Sequence, residues 1–186
     1  SQDDINQLLV EHAKAGRHVV RFKGGDNFVF GRGGEELLAC HAAGIATRVI
    51  PGVSSAIAAP ALAGVPVTHR GLTQGFTVVS GHVPPDHPDS TLDYAALARS
   101  GTTIVVLMGV RTLEAICAAL VDGGLDPATP AAVVADGSLP SQHVVRAAVS
   151  TIAAAAASVR PPAVAVIGDV ADIDGLTNDL ANGVDA

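Results

Sequence analysis

Short apolar runs of about five residues alternate with longer segments of helical periodicity along almost the whole chain, and glycine or proline marks nearly every change. That alternation leads to an α/β fold with mainly parallel sheets, because helical crossovers return successive strands in one direction. Ser1 followed by Asp4 forms a capping-box pattern, Ile5, Leu8, Leu9 and Ala13 recur on one helical face, and Gly16 ends the segment. RHVVRFK, 17–23, reads as a strand. A helix over 34–43 stops at Gly44, and the strand IATRVI, 45–50, ends at Pro51-Gly52. Ser54 or Ser55 caps a short helix through Ala59, where Pro60 interrupts it.

Beyond the polar, proline-rich stretch 83–91, strands are expected at 102–108, 131–135 and 163–167, with an edge strand at 143–148; the strand 76–80 precedes it. Helices are expected over 92–99, 111–122 and 149–158, and fraying from Asn178. The break at 72–91 divides the chain into domains 1–71 and 72–186. The first domain then opens on a helix and supplies too few strands for a sheet covered on both faces. The reading is therefore of a domain incomplete at its N-terminus, with further strands expected upstream of Ser1.

Of the 186 residues, 48% are hydrophobic and 16% charged, which suits a packed core. No apolar run approaches the roughly 20 residues that span a bilayer, so no membrane role is expected. Cys40 and Cys117 cannot build a disulfide framework, and a cytoplasmic setting is expected. Aromatics at 3% and a net charge of -7 argue against nucleic-acid partners. The charge is uneven: residues 1–71 carry seven basic and six acidic side chains, the remainder four and twelve. An anionic ligand would find its cations mainly in the first part.

Two segments carry candidate chemistry. In VVRFKGGDNFVFGRGGEE, 19–36, an apolar strand runs into Gly24-Gly25-Asp26, at the strand end where open α/β sheets bind ligands. Asp26 can accept from a ligand amino or hydroxyl group, or can cap a tight turn. Arg32, between two glycines, can grip a carboxylate or remain a solvated loop charge. Glu35 and Glu36 suit the first turn of the following helix. In the segment 50–70, Ser54 and Ser55 stand at a helix start, either as ligand contacts or as caps, and His69-Arg70 close the segment as a polar pair. The seven histidines show no metal-ligand spacing with the cysteines, and both cysteines read as core residues.

GGDNFVFGRGGEE, VIPGVSSAIAAPALAGVPVTHRG, FTVVSGH and VVLMGVRTLE, in that order, resemble the tetrapyrrole methylase family, and within it the branch acting on uroporphyrinogen III. The resemblance implies two α/β domains, S-adenosylmethionine bound in the cleft between them with S-adenosylhomocysteine as product, a tetrapyrrole substrate methylated at C2 and C7, and a homodimer. It implies cofactor contacts from Gly24, Gly25, Asp26, Val29, Ser54, Ser55, Met108 and Gly137, and substrate contacts from Arg32, His69 and Arg70. Asn27 stands where relatives usually have proline, and Phe22 where they have leucine. The family's opening strand, its glycine-rich loop and its acid/base Asp and Lys have no match here, so the catalytic residues are unassigned and residues 1–186 alone are expected to be inactive. Two alternatives remain: a sibling methylase with another substrate, and a cofactor-binding module without turnover.

Overall fold

The computed structural model describes residues 1–173 and Leu176; the fraying expected from Asn178 lies outside them. The chain forms two compact units, Ser1–Ser54 and Ser55–Ala186. Residues 55–71, which the boundary at 71/72 counts with the first domain, pack within the second unit.

The first unit holds helix α1 (Gln2–Lys14) and helix α2 (Gly33–Ala42). The capping box forms: Ser1 Oγ accepts from the Asp4 amide, and the Asp4 carboxylate accepts from the Ser1 amino group. Gly16 follows α1 at φ +76°, the left-handed position expected of a helix stop. The expected strands 17–23 and 45–50 are not in a sheet. Both run without regular structure, and among the described residues no N–H of 18–23 or 46–50 finds a backbone partner. They face a groove of about 920 Å³ whose lining also includes Leu9, Ala13 and Cys40 from the helices. The apolar content reads as strand, but a strand becomes one only when a neighbour closes the ladder.

The second unit is a five-stranded sheet in the order β1-β2-β5-β3-β4. Its strands are β1 (Phe76–Ser80), β2 (Thr103–Leu107), β3 (Pro130–Ala135), β4 (His143–Ala148) and β5 (Ala163–Ile167). Helix α3 (Ser55–Leu62) packs on β5 and β2. Helices α4 (Tyr94–Ala98) and α5 (Leu113–Asp122) carry the chain from β1 to β2 and from β2 to β3, and α6 (Ile152–Ala155) joins β4 to β5. The α/β class holds, with a correction to its detail: the β1–β2 ladder is parallel and the other three are antiparallel. The helical crossovers do leave β1, β2 and β3 running the same way. However, β5 inserts between β2 and β3 against both, and β4 folds back along β3.

Alternation along the central strands sorts two cores. Ile104, Val106, Val133 and Ile167 face Leu113, Ile116, Cys117 and Leu120 of α5. Val105, Val134, Val164 and Val166 face Ala56, Ala59 and Ala63 on the α3 side. That small-residue face explains why α3 continues past Ala59: Pro60 sits inside the helix and is itself buried. The Cys117 thiol is buried in the first core, and desolvation pushes its pKa up to about 11, so it is a packing group rather than a nucleophile. Ile116 is fully buried. Ile116→Val is expected to cost about 0.5–1.5 kcal/mol of stability, read as a lower urea midpoint at unchanged m-value.

Candidate functional site

The first unit presents a built loop, residues 24–33, between the irregular segment 18–23 and α2. Asp26 organises its start. Its Oδ1 accepts from the amides of Phe28 (2.9 Å) and Val29 (3.3 Å), and its Oδ2 accepts from the Gly52 amide (3.4 Å). These bonds, led by that from Phe28, hold its carboxyl below the usual range. Asn27 donates from Nδ2 to the Ile50 carbonyl at 2.7 Å, and its own carbonyl accepts from Gly33 at 3.0 Å. The glycines serve close approach: a Cβ at Gly31 would lie 2.6 Å, and one at Gly33 2.5 Å, from the Asn27 oxygen. Phe28, Val29 and Phe30 remain exposed at the tip.

Arg32 is the left-handed N-cap of α2 and already holds a carboxylate. Its Nε and Nη2 pair with the two oxygens of Glu35 at 2.8 and 2.7 Å. A substrate carboxylate would compete with Glu35 for that fork. Glu36, read from the sequence as a helix-start anion, is instead buried, and accepts from Lys23 Nζ (2.9 Å), Arg21 Nε (3.1 Å) and Gln2 Nε2 (3.4 Å). The helical stripe Gly33, Glu36, Cys40 is the sequence signal that points inward. Burial pushes the Glu36 carboxyl up, but the bonds from Lys23 and Gln2 and the charges of Arg21 and Lys23 outweigh it and hold it below its ordinary 4.5. A depressed acid contributes stability above its unfolded value and loses it as pH falls through the folded one. Stability is therefore expected to decline as pH drops below about 4.5, and Glu36→Gln to flatten that limb, in urea titrations between about pH 3 and 6.

Ser54 and Ser55 stand at the entry to α3. His69 and Arg70 are exposed; His69 Nδ1 lies 2.9 Å from the Arg70 carbonyl, and the His69 carbonyl accepts from Leu72 and Thr73 to close a turn.

In the second unit the carboxyl ends of β1, β2 and β3 lie at one end of the sheet. There Met108, half exposed, follows β2 at φ +57°, and Asp136 and Ser138 flank Gly137 after β3 at φ +52° and +76°. Side-chain-bearing residues in this region are uncommon and persist only where the surroundings over-determine them. A Cβ at Gly137 would meet that of Ala59 at 2.9 Å, so the turn lies directly on α3. Gln142, passed over in the sequence, braces it by accepting from the Ser138 amide at 2.8 Å and donating to the Leu62 carbonyl at 3.2 Å. Asp136 and Ser138 were also missed, since nothing local in the sequence requires a left-handed backbone at them.

Gly24 has open space where a Cβ would lie, and Gly25 turns at φ +72°, so backbone can come close to a ligand. The Asp26 carboxylate, with about four acceptor sites, keeps capacity for one more donor. The exposed Met108 offers a polarizable face to an aromatic ring.

The model of the family described as tetrapyrrole (corrin/porphyrin) methylases matches residues 1–153. The chain belongs to the tetrapyrrole methylase family. Among its relatives, the S-adenosyl-L-methionine-dependent uroporphyrinogen III methyltransferase of Methanosarcina barkeri is 44% identical over 187 residues, covering 100% of this chain and 73% of that protein. The uroporphyrinogen-III C-methyltransferase of Methanocaldococcus jannaschii is 43% identical over 175 residues, with coverage of 92% and 72%. The crystal structure of the Thermus thermophilus uroporphyrin-III C-methyl transferase complexed with S-adenosylhomocysteine is 42% identical at a TM-score of 0.78, covering 91% of this methylase and 74% of that chain. Among the described residues no helix is long and apolar enough to cross a membrane.

Proposed function

We propose that this protein is an S-adenosylmethionine-dependent methyltransferase that methylates uroporphyrinogen III at C2 and C7, giving precorrin-2. The observation that carries the reading is the 44% identity to a uroporphyrinogen III methyltransferase across the whole of this chain. Bound S-adenosylmethionine supplies a methyl group on a sulfonium centre, and its transfer to a nucleophilic pyrrole carbon leaves S-adenosylhomocysteine and a proton to be lost. The chain's part is to bind and orient, since such a transfer rests on positioning and a dry site more than on a protein nucleophile. Gly24, Gly25 and Asp26 offer close backbone and one carboxylate, and Val29 adds exposed apolar surface beside them. Ser54 and Ser55 add hydroxyls, Met108 a thioether, and Gly137 backbone polar groups. Arg32, with His69 and Arg70, meets the substrate's carboxylates in the less acidic part of the chain; Arg32 exchanges Glu35 for a substrate carboxylate. The protein acts as a homodimer in the cytoplasm.

The test is methylation of uroporphyrinogen III under anaerobic conditions, together with calorimetry using S-adenosylhomocysteine. Asp26→Ala should weaken S-adenosylhomocysteine binding about 10- to 150-fold in a folded protein, as expected for loss of one charge-assisted bond. Unchanged affinity removes Asp26 from the site. Binding without methyl transfer by the complete protein favours a binding module, and turnover of a different tetrapyrrole favours a sibling enzyme.

A further inference from the structure

We propose that Lys23 and Glu36 are positioning residues: together they latch the loop 24–33 into the shape that receives the cofactor. The inference rests on the reading that this loop binds S-adenosylmethionine. Lys23 is the last residue before the loop leaves at Gly24. Its side chain is 10% exposed, and its ammonium makes two contacts, with the Glu36 carboxylate at 2.9 Å and with the Gly31 carbonyl. Gly31 is where the loop returns, and Glu36 lies in the first turn of the helix it returns to. One buried charge therefore joins the departure of the loop, its return and the base of α2.

The Gly31 carbonyl is the anchor that the loop needs most. Phe30 and Arg32, on either side, both hold left-handed backbone at φ +52° and +56°. Conformations of that kind relax unless something holds them. Arg32 is tied outward to Glu35, and Phe30 is exposed, so neither side chain supplies an inward hold. Lys23 supplies it. Glu36 in turn fixes Lys23, because the charge of a side chain so little exposed is best held by a counter-charge. Arg21 and Gln2 complete the carboxylate, leaving Lys23 free to spend its remaining donors on the loop.

A merely structural ion pair would stabilise the first unit without shaping the loop. The complete protein, Lys23→Met, Lys23→Arg and the double variant Lys23→Met/Glu36→Leu separate the two roles. The double variant removes both charges and so leaves no unpaired charge buried. Two readouts are needed: the dissociation constant for S-adenosylhomocysteine by calorimetry, and amide exchange at Phe28, Val29 and Gly33, whose N–H groups are bonded within the loop. The latch requires that Lys23→Met and the double variant lose protection at these three amides and bind S-adenosylhomocysteine about 10- to 100-fold more weakly, since a displacement of about an ångström has effects of that size. Lys23→Arg should recover part of both. Retained loop protection in the folded double variant overturns the latch, as does a loosened loop with unchanged affinity. If the parent protein bound no S-adenosylhomocysteine, the cofactor reading would fail, and the exchange readout would still decide whether Lys23 holds the loop.

Discussion

Gly52→Ala is expected to raise the dissociation constant for S-adenosylhomocysteine by about 100-fold or more while leaving unfolding of the second unit unchanged. A Cβ at position 52 would fall on the carbonyl oxygen of Gly25, with the Gly25 carbon 3.0 Å away and the Asp26 nitrogen 3.7 Å away. All three are backbone atoms, so no side chain can swing aside and the chain itself must shift. The shift falls on Gly25, already turned at φ +72°, and on Asp26, whose Oδ2 accepts from the Gly52 amide. Both are candidate cofactor contacts. Gly34→Ala provides the contrast within the same glycine-rich region. Nothing lies within 4 Å of a Cβ there, and the residue is in α2, so the change should be neutral or stabilising by about 0.5–1 kcal/mol. Calorimetry and thermal melts of the two variants make the test. A Gly52→Ala protein that binds like the parent would show that 24–26 is not where the cofactor sits.

The sequence made some elements legible to the residue. Strands 76–80, 143–148 and 163–167 are found as read, because each is a short apolar or alternating run bounded by turn residues. What it could not carry is partnership. VVRFK and ATRVI have strand composition and run without regular structure, because the ladder that defines a strand depends on a neighbour that local pattern does not name. In the same way, nothing within AVAVI says that it lies between β2 and β3 and runs against both. The site shows a similar division. Gly24, Gly25 and Asp26 read in the sequence as a turn at a strand end; the structure has the turn, at Gly25 φ +72°, but no strand before it. Glu36 was not separated from Glu35, since both suit a first helical turn; only the spacing Gly33, Glu36, Cys40 tells them apart. Glu35 points out to Arg32 and Glu36 in to Lys23.

The segments 18–23 and 46–50, unpaired among the described residues, lead to the last expected result. Amides of 18–23 and 46–50 in residues 1–186 should exchange close to the rate of unstructured chain, while those of β2, β5 and β3 should be slowed by about 10³-fold or more. The first group has no backbone partner among the described residues. Its side chains add little cover: Val20, Phe22 and Ile50 are 74%, 89% and 69% exposed. The second group is ladder-bonded on both sides, with Val105, Val133, Val134 and Val166 at 0–1% exposure. Local opening costs nothing where no bond is broken, and approaches global unfolding where two cores must part. An apolar, unpaired pair of edges is also a template for association, since any extended chain that seats there gains hydrogen bonds and buries Val20 and Ile50 together. Exchange should therefore be followed at more than one protein concentration. Slow exchange at high dilution would mean that the two segments pair in solution and that the groove between them is closed. Protection that grows with concentration would mean that the edges recruit a second copy.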